Sequence, residues 1–584
     1  MKHKLLPILI TISMIAAGCA SQSETSSQAA SESDEIVEGS DDADTPETIE
    51  SSDDTVDHTL DYSKGIADGI YGWTLSEAGS YYMLSSINED GTPEESTAGQ
   101  NLMGGIGKGG MRGPQGLEKG DLNDLEGAEY QTMLVFVPAD YMTVNDDGSA
   151  SFTDAVVGGY TAKTAPIIFQ NNNAGWRSGT PGAPEYADTL NAGMIYVSCG
   201  SRSRDAVTEE GTITGKAPVP VADLKAGVIA LRANSDVIPG DKEQIISVGA
   251  SGGGQMSSAL GATGNMEEYY PYLYEAGAIG VTYDETTNTY NSKYDDSVYG
   301  AMAYCPIADI ENADLAYAWM CYDSTLNKNG ELSETAGSYE FTDFQLALQE
   351  DAAYAFAEYI NSLNLTDENG NQLSFAENED GTLNLREGTY YDAILKNISD
   401  VSPYQVIDLA SFITDTGLVR NKDIPGFDAF DMNAENDAFG ASDTNAVHFS
   451  ASIAQLLKDN YETYEKLDGF DPEQIALYIQ NALTGEEAGK IAEQTYLVNG
   501  TRIMLDVAAG TQDADIAKYW RIRSGTADPH TSFSVGYNIA IAAQMAGAKA
   551  NYSLVWAMGH GSNEGTTTGT LVDWVKEICT SSHK

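Results

Sequence analysis

The sequence predicts an α/β fold in which a mostly parallel central sheet carries helices on both faces and a large lid domain is inserted. Three observations predict it. Short apolar runs alternate with glycine-rich loops and helical stretches, as in a parallel sheet that is covered on both sides. Ser251 lies in a glycine-framed turn between a strand-like and a helix-like run. More residues separate this serine from the last strand-like runs than two or three strand–helix units use, so an insertion is required.

The predicted sheet can be followed along the chain from its apolar runs. The stretch VADLKAGVIALRAN places Leu224, Val228 and Leu231 on one face, as expected of a helix that covers a sheet. The predicted strands lie in MLVFVPADYM, TAPIIFQ, GMIYVSCGS, IISVGA and YGAMAYCPIAD. The alternation of these strands with helices favours parallel pairing.

The most informative stretch is KEQIISVGASGGGQMSSALGATG, residues 242–264. It contains the pattern G-x-S-x-G, which in the α/β-hydrolase fold turns sharply from strand to helix and lifts the serine hydroxyl above the sheet. We interpret Ser251 as a nucleophile, with the helix N-terminus and the Gly252 amide facing developing negative charge. The alternative is a purely structural turn, since glycine fills 58 of 584 positions and a chance match is not improbable.

A serine nucleophile normally requires an imidazole base, and the chain contains six histidines. Three of them lie in a removable leader, in an acidic low-complexity run and beside the C-terminus, which are His3, His58 and His583. The remaining candidates are His448, His530 and His560. Hydrolases with this turn carry serine, acid and histidine in that chain order. His560 fits best, because it closes the strand-like run NYSLVWAMGHG.

The acid is predicted at Asp528, in the loop after the strand-like run YWRIRSGT. Between Asp528 and His560 there is room for one helix, SVGYNIAIAAQMAG, as a strand–helix–strand unit of about 30 residues requires. A carboxylate here would orient the imidazole and stabilise the imidazolium. The alternatives are a helix N-cap for Asp528 and an ordinary loop residue for His560.

The loop NNNAGW, residues 171–176, follows an early strand. In this fold a second oxyanion donor comes from such a loop, and Ala174 or Gly175 is predicted to supply it beside Gly252. The alternative is an ordinary glycine turn.

The insertion is predicted over residues 311–500, between a first part of the core at 64–310 and a second part at 501–584. Its stretches TDFQLALQEDAAYAFAEYINSL and SIAQLLKDNYETYEKL have helical spacing, and DENGNQ and NEDG are typical of hairpin turns. Neither acidic turn completes the six-position ligand pattern of a calcium loop, so no metal site is predicted. An insertion here hangs over the carboxyl ends of the strands and is expected to act as a lid.

The N-terminus predicts where the protein works. Residues 1–18 have two lysines, a short apolar stretch and small residues before Cys19, which is typical of an export signal. The sequence AAGC resembles a bacterial lipobox, so Cys19 is the predicted lipidation point of an extracytoplasmic protein anchored to the bacterial cell membrane; the alternative is a plain signal peptidase site. Residues 19–63 contain no Lys or Arg and few large apolar residues, so they are predicted to form an acidic disordered tether.

Composition narrows the class of partner. A formal net charge of −58 and a pI near 4.1 argue against nucleic-acid binding and against docking to anionic lipid through a basic patch. No cofactor is predicted. Four cysteines lack paired metal-ligand spacing and are expected to be structural thiols, with one disulfide left open; they are Cys199, Cys305, Cys321 and Cys579.

At this point the chain resembles the bacterial tannases, subtype B, within the tannase and feruloyl esterase group of α/β-hydrolases. The resemblance runs from about residue 155 to the C-terminus and rests on several blocks in the same order: TAPIIFQNNNAGW, the long block ending in QIISVGASGGG, YCPIADIENADLAYAW, GFDAFDMNAENDAFG, and YWRIRSGTADPHTS with its following GHG. It implies an acyl-enzyme esterase with Ser251, Asp528 and His560 as a triad beneath a lid.

The same resemblance implies contacts to substrate. Lys422 and Glu435 frame GFDAFDMNA and match lid side chains that contact the hydroxyls of a galloyl ring in those tannases; read from the residues alone, both are equally well solvated surface charges. Family members place an Asp two residues after the triad Asp to bind another ring hydroxyl. This chain has His530 there, so the resemblance implies ester hydrolysis more firmly than a preference for gallate.

The sequence therefore predicts a lipid-anchored serine carboxylic-ester hydrolase whose substrate is a small aromatic ester, of gallate or a related plant phenolic. One alternative is a secreted serine peptidase of the same fold. Another is a substrate-binding lipoprotein, which export and tether fit equally well. A binding protein, however, has no need for an elbow serine followed by an acid and a histidine in the required order.

Overall fold

A nine-stranded sheet organises the part of the chain that the computed structural model describes, which is residues 60–88, 130–146, 148–184, 187–322, 342–416, 435–562, 564 and 569–580. The strands are β1 (Tyr71–Leu75), β2 (Tyr81–Ser86), β3 (Met133–Pro138), β4 (Met142–Val144), β5 (Ala150–Phe152), β6 (Ile167–Asn171), β7 (Ile195–Cys199), β8 (Ile245–Ala250), β9 (Val281–Asp284), β10 (Thr289–Ser292), β11 (Gly300–Tyr304), β12 (Ala376–Glu377), β13 (Leu383–Asn384), β14 (Gly440–Ala441), β15 (Thr444–Asn445), β16 (Tyr519–Gly525) and β17 (Lys549–Val555). Their order in the large sheet is β1-β2-β3-β7-β6-β8-β11-β16-β17.

Helices pack against this sheet and fill the insertion. They are α1 (Tyr62–Ala67), α2 (Ala187–Asn191), α3 (Val219–Ala233), α4 (Gly252–Ala262), α5 (Tyr270–Glu275), α6 (Ile310–Cys321), α7 (Asp343–Ser362), α8 (Thr389–Val401), α9 (Leu409–Thr416), α10 (Ala451–Asp459), α11 (Tyr461–Tyr464), α12 (Pro472–Ile479), α13 (Ala488–Leu497), α14 (Gly500–Ala509), α15 (Phe533–Met545) and α16 (Leu571–Thr580). No helix in the described ranges is both long enough and apolar enough to cross a bilayer.

The central strands pair in parallel, from β7 through β6, β8, β11 and β16 to β17, whereas β1, β2 and β3 add antiparallel strands at one edge. Every residue of β6, β7, β11 and β16 is buried, as expected of strands that helices cover on both faces. The predicted α/β fold with a mostly parallel sheet is confirmed. Parallel pairing also places the loops after β6, β8, β11, β16 and β17 at one edge of the sheet, where ligands bind in such folds.

Between β11 and β16 the described part of the chain forms helices α6 to α14 and three small hairpins. Thr366 pairs with Gln372 across DENGNQ, and β12 pairs with β13 across NEDG, so both predicted hairpin turns are confirmed. Trp319, Phe356 and Tyr390 pack together with ring centroids 5.2 to 6.2 Å apart. The Tyr390 hydroxyl donates to Asn538 Oδ1 of α15 at 2.7 Å, so this aromatic cluster is tied to the helix that covers β16 and β17.

The first described residues already belong to the folded part. Leu60 and Tyr62 are buried, and the Tyr62 hydroxyl donates to the carbonyl oxygen of Met133 on β3 at 2.7 Å. The packed chain therefore begins within the last residues of the predicted tether at 19–63. The predicted signal peptide at 1–18 and the lipidation point Cys19 lie outside the described residues and stay predictions. The lid boundaries at 311 and 500 lie within the described residues but also stay predictions.

All four cysteines of the described part are buried free thiols, namely Cys199, Cys305, Cys321 and Cys579. The disulfide that the sequence left open does not form among them.

Candidate active site

Ser251 occupies the sharp turn between β8 and α4. Its φ of 59° lies in the left-handed region that side chains rarely adopt, and its N–H donates to the carbonyl oxygen of Tyr304 on the neighbouring strand at 3.0 Å. At Gly249 a Cβ atom would lie 2.1 Å from the carbonyl oxygen of Gly253. The turn is therefore too tight for side chains at the framing positions, which explains the G-x-S-x-G pattern.

Ser251, His560 and Asp528 lie in hydrogen-bonding contact. His560 Nε2 is 2.7 Å from Ser251 Oγ, and His560 Nδ1 is 2.9 Å from one carboxylate oxygen of Asp528 and 3.0 Å from the other. The carboxylate is fully buried and also accepts the N–H of His530 at 2.9 Å. This geometry leaves the Nδ1 proton on the carboxylate side and Nε2 available to the serine hydroxyl.

The sheet brings these distant residues together. Asp528 follows β16 and His560 follows β17, and the two strands pair in parallel along their whole length. Beyond the strands their loops remain joined, since the N–H of Ala527 donates to the carbonyl oxygen of Met558 at 2.9 Å. Because β11 lies between β8 and β16, the acid and the base both face the end of the elbow strand.

The His560 imidazole is electrostatically tuned. Burial opposes its protonation, but the negative charge of Asp528 and the sulfur of Cys305 outweigh burial and hold the pKa of His560 well above its usual range. The protonated imidazole is thus stabilised, as a base that must accept a proton from a serine requires.

The second predicted element of an oxyanion site lies beside the elbow. The loop after β6 forms a short 3₁₀ turn at Ala174–Trp176. A Cβ atom at Gly252 would lie 2.8 Å from the N atom of Trp176 and 2.9 Å from the carbonyl oxygen of Asn173, so the turn and the helix start are in direct contact. Within the described ranges, the amides of Gly252 and Ala174 donate to no other group. Two such amides are what an oxyanion site needs.

Asparagines hold this turn in place, a role that the sequence analysis did not assign. The Asn171 amide donates to the carbonyl oxygens of Val248 at 3.2 Å and Gly253 at 3.0 Å, which ties β6 to both sides of the elbow. The Asn173 amide donates to the carbonyl oxygen of Arg177 at 2.9 Å, across the turn itself. The run of three asparagines was the available signal, because buried amides satisfy irregular backbone.

Cys305 is a further residue of the site that the sequence analysis placed only among structural thiols. Its sulfur lies 3.9 Å from His560 Nε2, and its own backbone has a φ of 37°. The N–H of Cys305 donates to the carbonyl oxygen of Arg523 at 2.6 Å, which fixes this unusual backbone. The strand order could have predicted this position, because Cys305 directly follows β11, which is the neighbour of the elbow strand β8.

Neither a protein-family model nor a curated protein matches the chain. Solved structures do. A tannase from Lactobacillus plantarum aligns over 88% of this chain and 99% of its own, with a TM-score of 0.62 and 25% identity. This chain has the fold of the bacterial tannases. A tannin acyl hydrolase in complex with 3,4-dihydroxybenzoate aligns over 88% and 98%, with a TM-score of 0.62 and 25% identity. The Fusobacterium nucleatum tannase aligns over 78% and 92%, with a TM-score of 0.58 and 25% identity.

Within this tannase fold, the segment that begins at Glu435 lies alongside the oxyanion loop. Arg204 connects the two, since its Nε donates to the carbonyl oxygen of Gly175 at 3.1 Å and its Nη1 pairs with Asp437 at 3.1 Å. Glu435 is partly buried at the start of this segment. The structure thus places Glu435 on the same side of the molecule as the elbow, whereas Lys422 lies outside the described residues.

His530 lies beside His560, the predicted base. Its ring lies edge-on to the His560 ring, with centroids 4.9 Å apart, and its N–H binds the Asp528 carboxylate. His530 therefore contacts both Asp528 and His560 directly.

Proposed function

We propose that this protein is a serine carboxylic-ester hydrolase that acts on phenolic esters through an acyl-enzyme. The observation that carries the proposal is the contact of Ser251, His560 and Asp528 at an elbow turn, on the fold of the bacterial tannases. No basic surface for nucleic acid is expected at a net charge of −58.

The reaction begins at Ser251 Oγ, which attacks the ester carbonyl while His560 Nε2 takes its proton. Asp528 keeps the Nδ1 proton in place and stabilises the imidazolium. The negative oxygen of the tetrahedral intermediate then faces the amide of Gly252 and one from the loop turn, from Ala174 or Gly175. His560 gives the proton to the leaving alcohol as the carbon–oxygen bond breaks, and an acyl group remains on Ser251.

Water completes the cycle by the reverse path. His560 removes a proton from water as its oxygen attacks the acyl carbon, and the same imidazole returns the proton to Ser251 Oγ when the acid leaves. Every proton in the two steps passes through His560 Nε2, and the reaction consumes one ester and one water.

A phenolic acyl group is the favoured substrate class, because a tannin acyl hydrolase of this fold has been solved with 3,4-dihydroxybenzoate. Lys422, Glu435 and His530 are proposed to contact its ring hydroxyls. We further propose that the enzyme is exported and held at the membrane through lipid on Cys19.

The first test is hydrolysis by the purified chain of four substrates: p-nitrophenyl butyrate, methyl gallate, ethyl ferulate and a peptide anilide. Turnover of the esters with little cleavage of the anilide supports the proposal. Preferred cleavage of the anilide would favour the peptidase alternative. Tight binding of a phenolic ester without turnover would favour the binding lipoprotein.

The nucleophile is tested by Ser251→Ala. Because triad members act as a unit, we expect kcat/KM to fall roughly 10⁴- to 10⁶-fold with an unchanged circular dichroism spectrum. A variant that kept more than about a tenth of the wild-type rate would contradict the assignment of the nucleophile.

The acyl pocket is tested by His530→Asp. A neutral imidazole offers one donor and one acceptor, whereas a carboxylate only accepts, and a ring hydroxyl is best bound by an acceptor. We expect His530→Asp to raise the ratio of kcat/KM for methyl gallate over methyl benzoate, and Lys422→Ala or Glu435→Ala to lower it. An unchanged ratio in all three variants would mean that these residues do not form the acyl pocket.

A further inference from the structure

The thiol of Cys305 faces the catalytic imidazole, yet the proposed reaction makes no use of it. Among the described residues, Cys305, Asp528 and His560 form a group whose potential metal-ligand atoms all lie within 4.8 Å of one another. A thiol, an imidazole and a carboxylate together match the ligand preferences of zinc and of softer divalent cations.

The distance between the Cys305 sulfur and the His560 Nε2 nitrogen allows a single ion to contact both atoms. Zinc binds sulfur at about 2.3 Å and imidazole nitrogen at about 2.0 to 2.1 Å. These lengths sum to about 4.4 Å, and Cys305 Sγ lies 3.9 Å from His560 Nε2. An ion in contact with both atoms would therefore lie off the line that joins them, with a sulfur–metal–nitrogen angle of about 125°, somewhat wider than the angle of a regular tetrahedral site.

The surroundings of this pair supply the remaining features of a metal site. Ser251 Oγ lies 2.7 Å from the same nitrogen, so the serine hydroxyl borders the space that an ion on Nε2 would occupy. Asp528 binds His560 through Nδ1 and so stands as the outer carboxylate that commonly orients a metal-bound imidazole. Water molecules would complete the four ligands.

The ligands are also held in position and reachable. The hydrogen bond from the Cys305 N–H to the carbonyl oxygen of Arg523 holds the Cys305 backbone, and therefore the base of its side chain, beside the end of β16. The thiol itself is fully buried, but Ser251 is 9% exposed and the His560 side chain 12% exposed. A small ion can enter by the opening through which a substrate must reach the serine.

We propose that Cys305 and His560, beside Ser251, form an inhibitory site for a thiophilic divalent cation such as Zn²⁺ or Cd²⁺. The thiol loses its proton to solvent as the metal–sulfur bond forms. The metal occupies the Nε2 lone pair, which is the one that must accept the Ser251 proton during ester hydrolysis. Metal binding and catalysis therefore exclude each other at one atom.

The direct test is metal binding, measured by calorimetry with Zn²⁺ and by the sulfur-to-cadmium charge-transfer absorbance with Cd²⁺. We expect one ion per wild-type chain and at least about 10- to 100-fold weaker binding in Cys305→Ser, since even outer-shell changes cost that much. The matched control is Cys199→Ser, in another buried strand end, which should bind as the wild type does. Mg²⁺ should not bind, because it prefers oxygen ligands.

The second measurement is labelling of Ser251 by a fluorophosphonate and hydrolysis of p-nitrophenyl butyrate, each with and without Zn²⁺. Zn²⁺ should suppress both in the wild type and in Cys199→Ser, and at least about 10-fold higher Zn²⁺ should be needed in Cys305→Ser. The labelling and hydrolysis readouts both rest on the proposed function of Ser251, whereas the calorimetric and absorbance measurements do not; metal binding by an inactive chain would leave this inference standing. Absence of binding by the wild type, or equal binding by Cys305→Ser, would overturn it.

Discussion

The Asp528 carboxylate serves two neighbours, because it binds the His560 imidazole and accepts the amide N–H of His530. Both contacts lie in a fully buried place, where a carboxylate is costly unless it is paired and hydrogen-bonded. In the proposed reaction, the imidazolium of His560 supplies the opposite charge. At the scale of single residues, the site is thus arranged for a base that holds its proton more firmly than an exposed histidine does.

This arrangement predicts the pH dependence of the reaction. Only the unprotonated imidazole can accept the serine proton, so kcat/KM should fall about tenfold for each pH unit below the pKa of His560. Because Asp528 holds that pKa well above its usual range, the acid limb measured with p-nitrophenyl butyrate should have its midpoint above about 6.5. His560→Ala should abolish the activity, and a wild-type midpoint at or below about 6.5 would contradict the pairing.

His448 is the informative control for that prediction. Its ring is fully buried between Phe449 and Tyr478, with centroids 5.0 and 4.1 Å away, and its Nδ1 accepts the N–H of Ser450 at 3.0 Å. His448→Asn keeps an acceptor at that position. We expect this variant to retain the wild-type pH midpoint. Equal losses of activity in the His448 and His560 variants would contradict the assignment of His560 as the base.

At the scale of elements, the start of α6 joins the insertion to the sheet through two carboxyl groups, of which that of Asp309 is buried and that of Glu311 partly buried. Asp309 accepts hydrogen bonds from Asn499, at the start of α14, at 2.9 Å and from Tyr359 of α7 at 2.8 Å. Two residues on, Glu311 accepts the Thr495 hydroxyl at 3.0 Å. Burial, with Asp309 nearby, raises the pKa of Glu311 to about 7. This junction therefore holds a carboxyl group that ionises near neutral pH.

Glu311→Gln should change how stability depends on pH. A carboxyl whose folded pKa is raised contributes stability that is present below its unfolded pKa and is lost as pH rises through the folded value, here between about 4.5 and about 7. Glutamine cannot ionise, so the variant should become relatively more stable as pH rises, by at most about 3 kcal/mol. Urea unfolding at pH 5 and pH 8 measures this difference.

Glu267, an exposed acid in a short 3₁₀ helix at Glu267–Tyr269, provides the comparison, since Glu267→Gln removes one charge without touching the junction. A difference in unfolding free energy between wild type and Glu311→Gln that stays constant across this pH range would show that Glu311 ionises as an ordinary surface carboxyl does.

The elements also show where sequence patterns were sufficient. Helix α15 and strands β6, β7, β8 and β11 lie where their apolar periodicity predicts them. Helix α4 begins at Gly252, within a run of three glycines that helix propensity disfavours. The glycines are required there because the helix start packs closely against the loop after β6. The position of Cys305 beside His560 could not be predicted either, because a single thiol carries no spacing signal in the sequence.

At the scale of the whole molecule, the sequence predicted which loops carry the chemistry but not the order of the strands. Order and register arise from packing across the sheet, and no local pattern in β3, β7 or β6 states that they are neighbours. The hairpin of β1 and β2 extends the edge of the sheet next to β3, in a part of the chain to which the sequence assigned no structure. Long-range pairing of this kind lies beyond periodicity arguments.

The net charge of the chain limits the ways in which the protein could be held at a membrane. At −58, with no Lys or Arg between residues 20 and 63, the protein should be repelled by anionic lipid, so electrostatic docking cannot hold it at a membrane. A single acyl chain binds membranes only marginally, but the diacylglycerol and amide-linked acyl group of a bacterial lipoprotein would anchor it firmly.

We predict that labelled palmitate is incorporated into the wild-type chain in bacterial cells and that Cys19→Ala abolishes both the label and recovery in the membrane fraction. Cys199→Ala, which removes a thiol buried in the sheet, should keep both. An unlabelled wild type would make the protein simply secreted, and label that persists in Cys19→Ala would place the lipid on another residue.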